Sequence, residues 1–482
     1  MATPIPVNSA RFRLDEIVAA TGGALVELAP ERTVRGVSTD SRSAPEGALF
    51  VALTGETFDG HRFVDEVRGR GAVPLVAASR ALAGPRIEVE DPLVALGAIA
   101  RAYVDRETAG RDVPALTVGG AAGKTTTKTL TAAAVAALCG RTLATAGNLN
   151  NRIGLPMTLL TLAPADRAIV LECGTSEPGE IAALARIAAP DVATVTNVGV
   201  EHSLRLGSVD EIADEEAGLL LAARRAAVAN ADDPLLVARL ARATATRLSF
   251  GRAEGADLRL VERTVDAAGV STIRFRTRGP WFAARLGDRE LRFTTALLGE
   301  TAAMNVAAAV LGAFAMLDRT ASDVEIGQLA EAIAAVEAVP GRLRPVALAD
   351  LLVIDDSYNA NPGSVRAALS AAREVADRRG ARLILALGDM LELGDLAAAE
   401  HRTMLRAADR TGASELLLVG PECAGAAGAV AGGLATPFRT FADSRAAGEA
   451  IVRIVRPGDV ILVKGSRGIR MENLIQQLEE SR

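Results

Sequence analysis

The segment ALTVGGAAGKTTTK at positions 115–128 constrains the fold more than any other part of this sequence. A short apolar run leads into a glycine-rich turn, and a stretch typical of a helix follows. N–H groups in such a turn, at a helix start, favour a bound phosphate. Lys124 is placed to reach the β- and γ-phosphates of a nucleotide, and the Thr125 hydroxyl to bind Mg²⁺. The general phosphate-loop pattern has glycine where Val118 stands, and the alternative is a turn that merely joins strand to helix.

Strand-like and helix-like segments alternate along most of the chain. The apolar runs AIVLE, VATVTNV, LLVIDD, RLILAL, ELLLV and DVILVKG are typical of buried strands, and the segments between several of them are typical of helices. This alternation predicts an α/β fold with mostly parallel sheets. Residues 247–300 have β-type runs separated by turn residues, so an antiparallel segment is expected there.

A chain of 482 residues is too long for one ordinary core. We predict three domains: a small mixed α/β N-terminal domain at 1–96, a central P-loop ATPase-like parallel-sheet domain at 97–340, and a Rossmann-like C-terminal domain at 341–482. The segment PGRLRP near the last boundary is typical of a linker. Asn361 followed by Pro362 predicts a helix start, because proline suits the first helical turn.

Composition excludes several classes of function. The net charge is −6 without a basic stripe, and aromatic residues make up only 3%, which argues against nucleic-acid binding. We find neither a signal-peptide pattern nor an apolar run near the ~20 residues that span a bilayer. Three distant cysteines do not indicate a disulfide framework. A cytoplasmic protein is therefore expected, and we predict separately that it is a monomer.

The chain has only three histidines and no arrangement typical of nucleophilic catalysis. Glu172 ends the AIVLE strand, at the sheet edge where ligands of α/β proteins bind. His202 follows a second strand, and a carboxylate with an imidazole suits Mg²⁺ or Mn²⁺. His202 alone would more often be a loop histidine. His61 is a weaker candidate for a nucleotide pocket, and His401 is expected to be structural.

Motifs in a fixed order resemble the Mur ligase family. They are TDSR, GETFDGH, GKTT, AGNLNNRIGLPMTLL, LECG, NVGVEH, NADDP, PGRLRP, DDSYNANPGS, LGDMLELG and VKGSRG. GNLNN and DDSYNANP are similar to the branch of this family that adds D-alanyl-D-alanine. The resemblance implies an ATP- and Mg²⁺-dependent amide-bond ligase that joins D-Ala-D-Ala to UDP-MurNAc-tripeptide through an acyl phosphate, in peptidoglycan precursor synthesis.

The resemblance also implies roles for individual residues. Nucleotide binding is implied for Gly120, Gly123, Lys124, Thr125, Thr126, Asn305, Arg342, Asp356 and Tyr358. Binding of the UDP-sugar-peptide and dipeptide substrates is implied for Asp40, Ser41, Arg42, Asn148, Asn150, Asn151, Asn359, Asn361, Lys464 and Arg467. Metal binding is implied for Thr125, Glu172 and His202. The asparagines could also serve only as turn and cap residues.

The chain departs from the family at three places. In the first, Ala121 and Ala122 fill phosphate-loop positions that are commonly polar in the family. The helix after NVGVEH has no lysine, whereas family members carry one whose carbamate helps to hold metal, and Glu216 takes its position. Ser208 and Glu211 predict a capping box that fixes this helix, and Glu216 is then the acid on its apolar face. We expect Glu216 to be a catalytic carboxylate that replaces the carbamate near Mg²⁺, so this ligase should not need bicarbonate. Thr301 and Ala302 replace a family His-Asn pair, which leaves one adenine contact open.

Other functions stay open on sequence alone. A relative that adds a single amino acid to a shorter acceptor, or a folylpolyglutamate-type ligase, would use the same chemistry. GNLNN with DDSYNANP argues against the first, and the uridine-binding-like N-terminal segment against the second. A third possibility is an inactive nucleotide-binding scaffold, against which Lys124, Thr125, Glu172 and His202 argue.

Overall fold

The computed structural model describes residues 3–200 and 203–481. It divides into two compact units: the first comprises Met1–Thr117, Cys139–Thr175 and Gly179–Asp191, and the second comprises Val118–Leu138, Ser176–Pro178 and Val192–Arg482. The predicted α/β class is confirmed, because helices alternate with sheets that are mostly parallel. His202 lies outside the described residues.

The N-terminal part of the first unit contains a five-stranded sheet. Its order is β2-β7-β6-β5-β4, antiparallel only between β2 and β7, and β1 pairs with β3 separately. The elements are β1 Arg11–Arg13, α1 Leu14–Thr21, β2 Ala24–Val26, β3 Thr33–Arg35, β4 Val37–Ser38, β5 Leu49–Val51, α2 Val64–Gly69, β6 Val73–Ala77, β7 Arg86–Val89 and α3 Pro92–Thr108.

Strand β8 then carries the chain from the first unit into the second, and α4 carries it back. Strands β9 and β10 are parallel to each other. Glu172 is the last residue of β10, as its sequence position predicts. The elements here are β8 Ala115–Gly119, α4 Lys124–Cys139, β9 Thr142–Ala144, α5 Gly154–Leu159, β10 Ala168–Glu172 and α6 Glu180–Ala188.

Six strands of the second unit lie side by side in sequence order, from β11 to β16. Pairing is parallel up to β14 and antiparallel from β14 to β16, which confirms the antiparallel segment predicted within 247–300. The elements are β11 Val192–Val195, α7 Ser203–Leu206, α8 Val209–Ala222, β12 Ala226–Asn230, α9 Pro234–Leu240, β13 Thr246–Gly251, β14 Leu258–Val265, β15 Ser271–Thr277, α10 Gly279–Ala283, β16 Glu290–Thr295, α11 Gly299–Leu317 and α12 Asp323–Ala334.

The rest of the second unit has a six-stranded sheet of order β17-β18-β22-β19-β20-β21, in which only β17 with β18 is antiparallel. Helices pack on both of its faces around two apolar clusters. The elements are β17 Arg344–Leu348, β18 Leu351–Asp356, α13 Pro362–Arg379, β19 Leu383–Gly388, α14 Ala397–Asp409, β20 Glu415–Val419, α15 Pro421–Val430, β21 Phe438–Phe441, α16 Ser444–Ile454, β22 Val460–Lys464 and α17 Glu472–Glu480.

Two expectations from the sequence change in detail. The end of the PGRLRP segment is not only a linker, because Arg344 and Pro345 begin β17. Proline is tolerated there because β17 is an edge strand. Helix α11 differs from the expectation that no apolar run approaches the length that spans a bilayer. Among the described residues it is long and apolar enough to cross a membrane, with a mean hydropathy of 1.5 over 18 residues, yet 72% of that 18-residue stretch is buried inside the protein.

Candidate functional site

The glycine-rich turn between β8 and α4 has a backbone that needs its glycines. Gly120 and Gly123 have φ angles of 115° and 85°, in the region that side chains disfavour. A Cβ at Gly120 would lie 2.3 Å from the Thr196 hydroxyl oxygen, and one at Gly123 would lie 2.5 Å from Asn305 Oδ1. The turn therefore lies directly against neighbouring backbone and side chains of the second unit.

Three consecutive N–H groups of this turn are held by the protein itself. Gly120 N donates to Glu216 Oε2 at 2.7 Å. Ala121 N donates to the backbone oxygen of Asn197, and Ala122 N to its Oδ1, both at 2.9 Å. The N–H groups of the first turn of α4 follow directly after these three in the chain, and a helix N-terminus of this kind favours negative charge.

A cavity of about 230 Å³ opens beside this turn, within the second unit. Four segments form its wall: the glycine-rich turn at 119–123, called the phosphate loop below, the end of β11, the N-terminal half of α11 and the loop after β18. Its lining residues are Ala121, Ala122, Gly123, Thr125, Thr126, Thr196, Asn197, Asn230, Phe250, Thr301, Met304, Asn305, Arg342, Leu343, Asp356, Asn359, Ala360, Asn361, Ser364, Ala367 and Lys464.

Most nucleotide candidates from the sequence therefore meet at one cavity, although they range from Gly123 to Asp356 along the chain. Lys124 begins α4 next to the lining residues. Asn305 accepts a hydrogen bond from the Thr127 hydroxyl at 3.2 Å, which ties α11 to α4. Thr301 lines the cavity, whereas Ala302 is buried in the core. A hydroxyl is thus available where the family has a histidine.

Asp356 and Lys464 form a buried ion pair in the cavity wall. Lys464 Nζ lies 2.6 Å from Asp356 Oδ2 and donates a second hydrogen bond to the Asn359 carbonyl at 2.9 Å. Burial lowers the pKa of Lys464, and the carboxylate of Asp356 opposes this shift. The contact joins the ends of β18 and β22, so Lys464 holds the carboxylate and the following loop in place.

Arg342 lies over the Tyr358 ring, with its guanidinium carbon 4.1 Å from the ring centre. The Arg467 guanidinium carbon is 5.8 Å from the same centre. The family resemblance implies nucleotide binding by Tyr358. In the structure its ring lies against two arginine side chains, an arrangement that restricts where the two cations lie.

Asn361 acts as the N-cap of α13. Its Oδ1 accepts from Ser364 N at 2.8 Å, and its own N donates to the Ser364 hydroxyl at 3.0 Å. The helix start predicted from Asn361 and Pro362 is confirmed. Asn361 and Asn359 both line the cavity, so capping does not remove them from it.

Among the metal candidates, Thr125 lines the cavity of the second unit and Glu172 belongs to the first. Glu172 is 2% exposed, and its Oε1 accepts from Asn150 Nδ2 at 2.8 Å. Asn150, a substrate candidate, thus orients this carboxylate. Arg342 and the first turn of α4 line the cavity, and a guanidinium and a helix N-terminus both suit phosphates. The residues of the cavity therefore fit the phosphates of ATP, and the Thr125 hydroxyl offers an oxygen of the kind that Mg²⁺ prefers.

The remaining substrate candidates lie in the first unit. The Asp40 carboxylate accepts from the Arg42 guanidinium at 2.7 and 2.9 Å, and this hydrogen bond lowers the pKa of Asp40. Ser41 is buried, and its carbonyl accepts from Arg70. Asn148 exchanges hydrogen bonds with Thr3.

Asn151 serves locally as a cap. Its Oδ1 accepts from Ile153 N and Gly154 N, at the start of α5. This is the turn chemistry that the sequence left open for the asparagines. A substrate contact by Asn151 would have to use its amide nitrogen.

His61 and His401 are both engaged by the backbone. His61 Nε2 accepts from Ala77 N at 3.1 Å, and its Nδ1 lies 2.8 Å from Asp59. His401 Nε2 accepts from Met390 N at 2.9 Å, and its Nδ1 donates to the Ala397 carbonyl. His401 is thus structural, as expected, although it lies near a buried carboxylate and thiol.

That neighbourhood, formed by Asp389, His401 and Cys423, has the residue types of a metal site. The Asp389 carboxylate accepts hydrogen bonds from the backbone N–H groups of Glu422 and Cys423. Burial raises the pKa of the Cys423 thiol well above its usual value, which disfavours the thiolate that binds metal. The cluster is therefore an internal hydrogen-bonded support under β19.

Sequence reasoning missed several cavity residues. Thr196 and Asn197 both donate side-chain hydrogen bonds to the Ala122 carbonyl of the phosphate loop. Asn230 and Phe250 also line the cavity. Their one available signal is position, since each stands at the carboxyl end of a parallel strand or just after it.

Comparison with known proteins agrees with the fold. Family models match residues 33–104 (Mur ligase family, catalytic domain), 118–313 (Mur ligase middle domain) and 341–467 (Mur ligase, glutamate ligase domain). The chain therefore belongs to the Mur ligase family of ATP-dependent ligases.

Its relatives point to one branch of that family. The chain is 34% identical to the UDP-N-acetylmuramoyl-tripeptide--D-alanyl-D-alanine ligase of Escherichia coli, over 93% of this chain and 94% of that protein. The enzyme of the same name from Bacillus subtilis is 32% identical, over 95% and 96%. The Acinetobacter baumannii MurF crystal structure matches with a TM-score of 0.84 and 28% identity, covering 98% of this chain and 100% of that one. The resemblance predicted from the motifs is confirmed.

Proposed function

We propose that this protein joins D-alanyl-D-alanine to UDP-MurNAc-tripeptide with ATP, in the cytoplasm. The observation that carries the proposal is the single cavity that brings the phosphate loop together with Asp356, Arg342 and Lys464. Support for the substrates comes from the relatives, which are named for this reaction and which this chain matches over nearly their whole length. A MurF structure from Thermotoga maritima with bound ADP supports the choice of nucleotide.

The reaction needs no nucleophile from the protein. The peptide carboxylate attacks the γ-phosphorus of ATP, the bond to the β-phosphate oxygen breaks, and ADP and an acyl phosphate form. The amine of D-Ala-D-Ala then attacks the acyl carbon, phosphate leaves with the bonding pair, and the amine loses a proton. The protein must align three charged reactants and neutralise the phosphoryl charge.

The proposed nucleotide roles rest on the family resemblance and, for the residues that line it, on the cavity. Gly123, Thr125 and Thr126 contact the phosphates through the first turn of α4, and the Lys124 ammonium neutralises the β- and γ-phosphates. Gly120 shapes the loop. Arg342 is proposed to reach the phosphates as well, and the remainder of the nucleotide would be surrounded by Asn305, Asp356 and Tyr358.

Mg²⁺ would be held by Thr125, Glu172 and His202. When bound, it supplies positive charge to the phosphate oxygens. Asn150 fixes the direction of the Glu172 carboxylate, so it acts here as a positioning residue.

Residues of the first unit would bind the uridine nucleotide and sugar-peptide. Asp40, Ser41 and Arg42 are proposed for the former, and Asn148, Asn150 and Asn151 for the latter. The dipeptide and the acceptor carboxylate would be bound by Asn359, Asn361, Lys464 and Arg467. Lys464 would act by holding Asp356 and the loop after β18 in place. The proposed domain boundaries remain 1–96, 97–340 and 341–482, in a monomer.

Phosphate release tests this proposal directly. The purified protein is assayed with ATP and Mg²⁺, with UDP-MurNAc-tripeptide, with D-Ala-D-Ala, and with both. Release is expected only with both, because the acyl phosphate is consumed only by the amine. Tripeptides ending in L-lysine and in diaminopimelate are compared to define the acceptor. Turnover with a UDP-MurNAc-dipeptide and a free diamino acid would instead indicate a ligase for the third residue.

A further inference from the structure

Glu216 is a buried carboxylate beside the phosphate loop. It is 1% exposed and lies in the middle of α8, between the buried residues Ile212 and Leu220. The Ser208 and Glu211 capping box predicted from the sequence fixes the start of this helix. The Glu216 side chain therefore projects from a rigid support, so its position is defined by the fold.

The contact between α8 and the loop leaves no spare room. Glu216 Oε2 accepts from Gly120 N at 2.7 Å, across 96 positions of sequence. A Cβ at Gly119 would lie 2.5 Å from Leu219 Cδ1 and 2.9 Å from Glu216 Oε2. A Cβ at Gly120 would lie 2.3 Å from the Thr196 hydroxyl oxygen on the other side. Helix α8 and the end of β11 thus hold the loop between them.

We propose that Glu216 is a positioning residue that holds the phosphate loop in its nucleotide-binding conformation before the nucleotide arrives, through its hydrogen bond to Gly120. The proposal rests on the proposed ATP site. Without this acceptor, a buried N–H would lack a partner and the loop would have to be ordered by the nucleotide. Affinity would then be lost even when no metal is present.

The hydrogen bond, rather than the charge, is the useful property here. A carboxylate next to bound phosphates repels them unless a cation lies between. A glutamine side chain has an oxygen at the same reach and accepts the same hydrogen bond without the charge. A role in holding Mg²⁺ would instead require the carboxylate. Glu216→Gln therefore separates the two roles.

The test measures ADP affinity by calorimetry for the parent, Glu216→Gln and Glu216→Ala, each in EDTA and in Mg²⁺. We expect Glu216→Ala to bind ADP at least roughly tenfold more weakly in both conditions, the scale of a lost hydrogen bond to a charged group. Glu216→Gln should stay within about threefold of the parent in both, because the bond is kept. Asp214→Asn is the matched control, since Asp214 is a solvent-accessible acid on the same helix that pairs with arginines.

Hydrogen exchange of the peptide covering positions 118–127 gives a second readout that needs no nucleotide. Faster exchange in Glu216→Ala, with parent-like exchange in Glu216→Gln, is expected. Parent-like ADP affinity for Glu216→Ala in EDTA would overturn the proposal, as would a Glu216→Gln variant as weak as Glu216→Ala. A loss confined to Mg²⁺ in both variants would also overturn it and assign Glu216 to the metal. None of these outcomes depends on which acceptor or amine the enzyme uses, so the proposed function is tested separately.

Discussion

Tyr358 orients two arginines at the residue scale. Its ring lies beneath Arg342 at 4.1 Å and within 5.8 Å of Arg467. A cation over an aromatic face gains roughly 0.5–2 kcal/mol, depending on its exposure. We therefore predict that Tyr358→Ala raises the KM for ATP by about 2- to 30-fold, whereas Tyr358→Phe, which keeps the ring, stays close to the parent. Steady-state kinetics with varied ATP checks this.

The tyrosine hydroxyl provides the contrast in that experiment. If Tyr358→Phe raises the KM for ATP as much as Tyr358→Ala does, the hydroxyl is the important group and the stacking of the ring is not. An unchanged KM for ATP in Tyr358→Ala would contradict the prediction. Either Arg342 would not contact the phosphates, or the ring would not be needed to orient Arg342.

Lys124 begins α4 at the point where the phosphate loop ends. Removing one preorganised charge contact commonly costs ~3 kcal/mol in the transition state. We predict that Lys124→Ala lowers turnover by at least ~10²-fold, while the thermal midpoint stays near that of the parent because the loop backbone is unchanged. Phosphate release and a melting curve on the same preparation measure both quantities. Near-normal turnover would show that the phosphates bind elsewhere.

At the element scale, helix α13 begins at the wall of the cavity, so its N-cap residue is also a cavity residue. Asn361 accepts from Ser364 N and also lines the cavity. Loss of an N-cap costs about 0.5–2 kcal/mol of stability, and aspartate caps as well as asparagine. We predict that Asn361→Ala destabilises the protein by about 1 kcal/mol and that Asn361→Asp does not, as measured by denaturant unfolding.

The same two variants separate capping from substrate binding. An Asn361→Asp variant with parent stability but a raised KM for the dipeptide or the UDP-substrate would assign the amide to a substrate. Parent-like kinetics together with parent stability would leave Asn361 as a cap only. Full stability of Asn361→Ala would contradict the capping role.

Elements with a strong local signal were predictable, and contacts between distant elements were not. The runs LLVIDD and DVILVKG form β18 and β22 because buried parallel strands are continuously apolar. Strand β17 was missed because Pro345 is typical of a turn, and its place at the sheet edge is a tertiary fact. The buried face of α8 was predicted from its period, yet the partner of Glu216 was not, because Gly120 lies 96 positions away.

The site followed the same rule. Motif residues could be assigned to a nucleotide because the phosphate loop has a local signature. A role for Lys464 in binding an anionic substrate stays a prediction, and the structure adds an ion pair with Asp356 that the sequence did not indicate. Such a pairing depends on the order of strands in the sheet, in which β18 and β22 are neighbours although 108 positions separate the two side chains.

The proposed reaction draws on both compact units at the scale of the whole molecule. Asp40, Arg42 and Asn150 belong to the first unit, and the nucleotide cavity belongs to the second. Phosphoryl transfer requires the acceptor carboxylate and the γ-phosphate at about 3–3.5 Å. Ligases of this kind gain by excluding water once the substrates are bound, since the acyl phosphate is open to hydrolysis.

We therefore predict that the protein becomes more compact when both sites are filled. Small-angle scattering is recorded for the free protein, with a non-hydrolysable ATP analogue, with the UDP-substrate, and with both. The radius of gyration should fall most with both ligands, because closure that sequesters the reactants depends on each of them. The Lys124→Ala variant is the control: if its weakened phosphate contact prevents closure, the fall with both ligands should shrink while the free profile stays the same. Profiles that superimpose in all four conditions would mean that the reactants meet without any change of shape, and would refute the prediction.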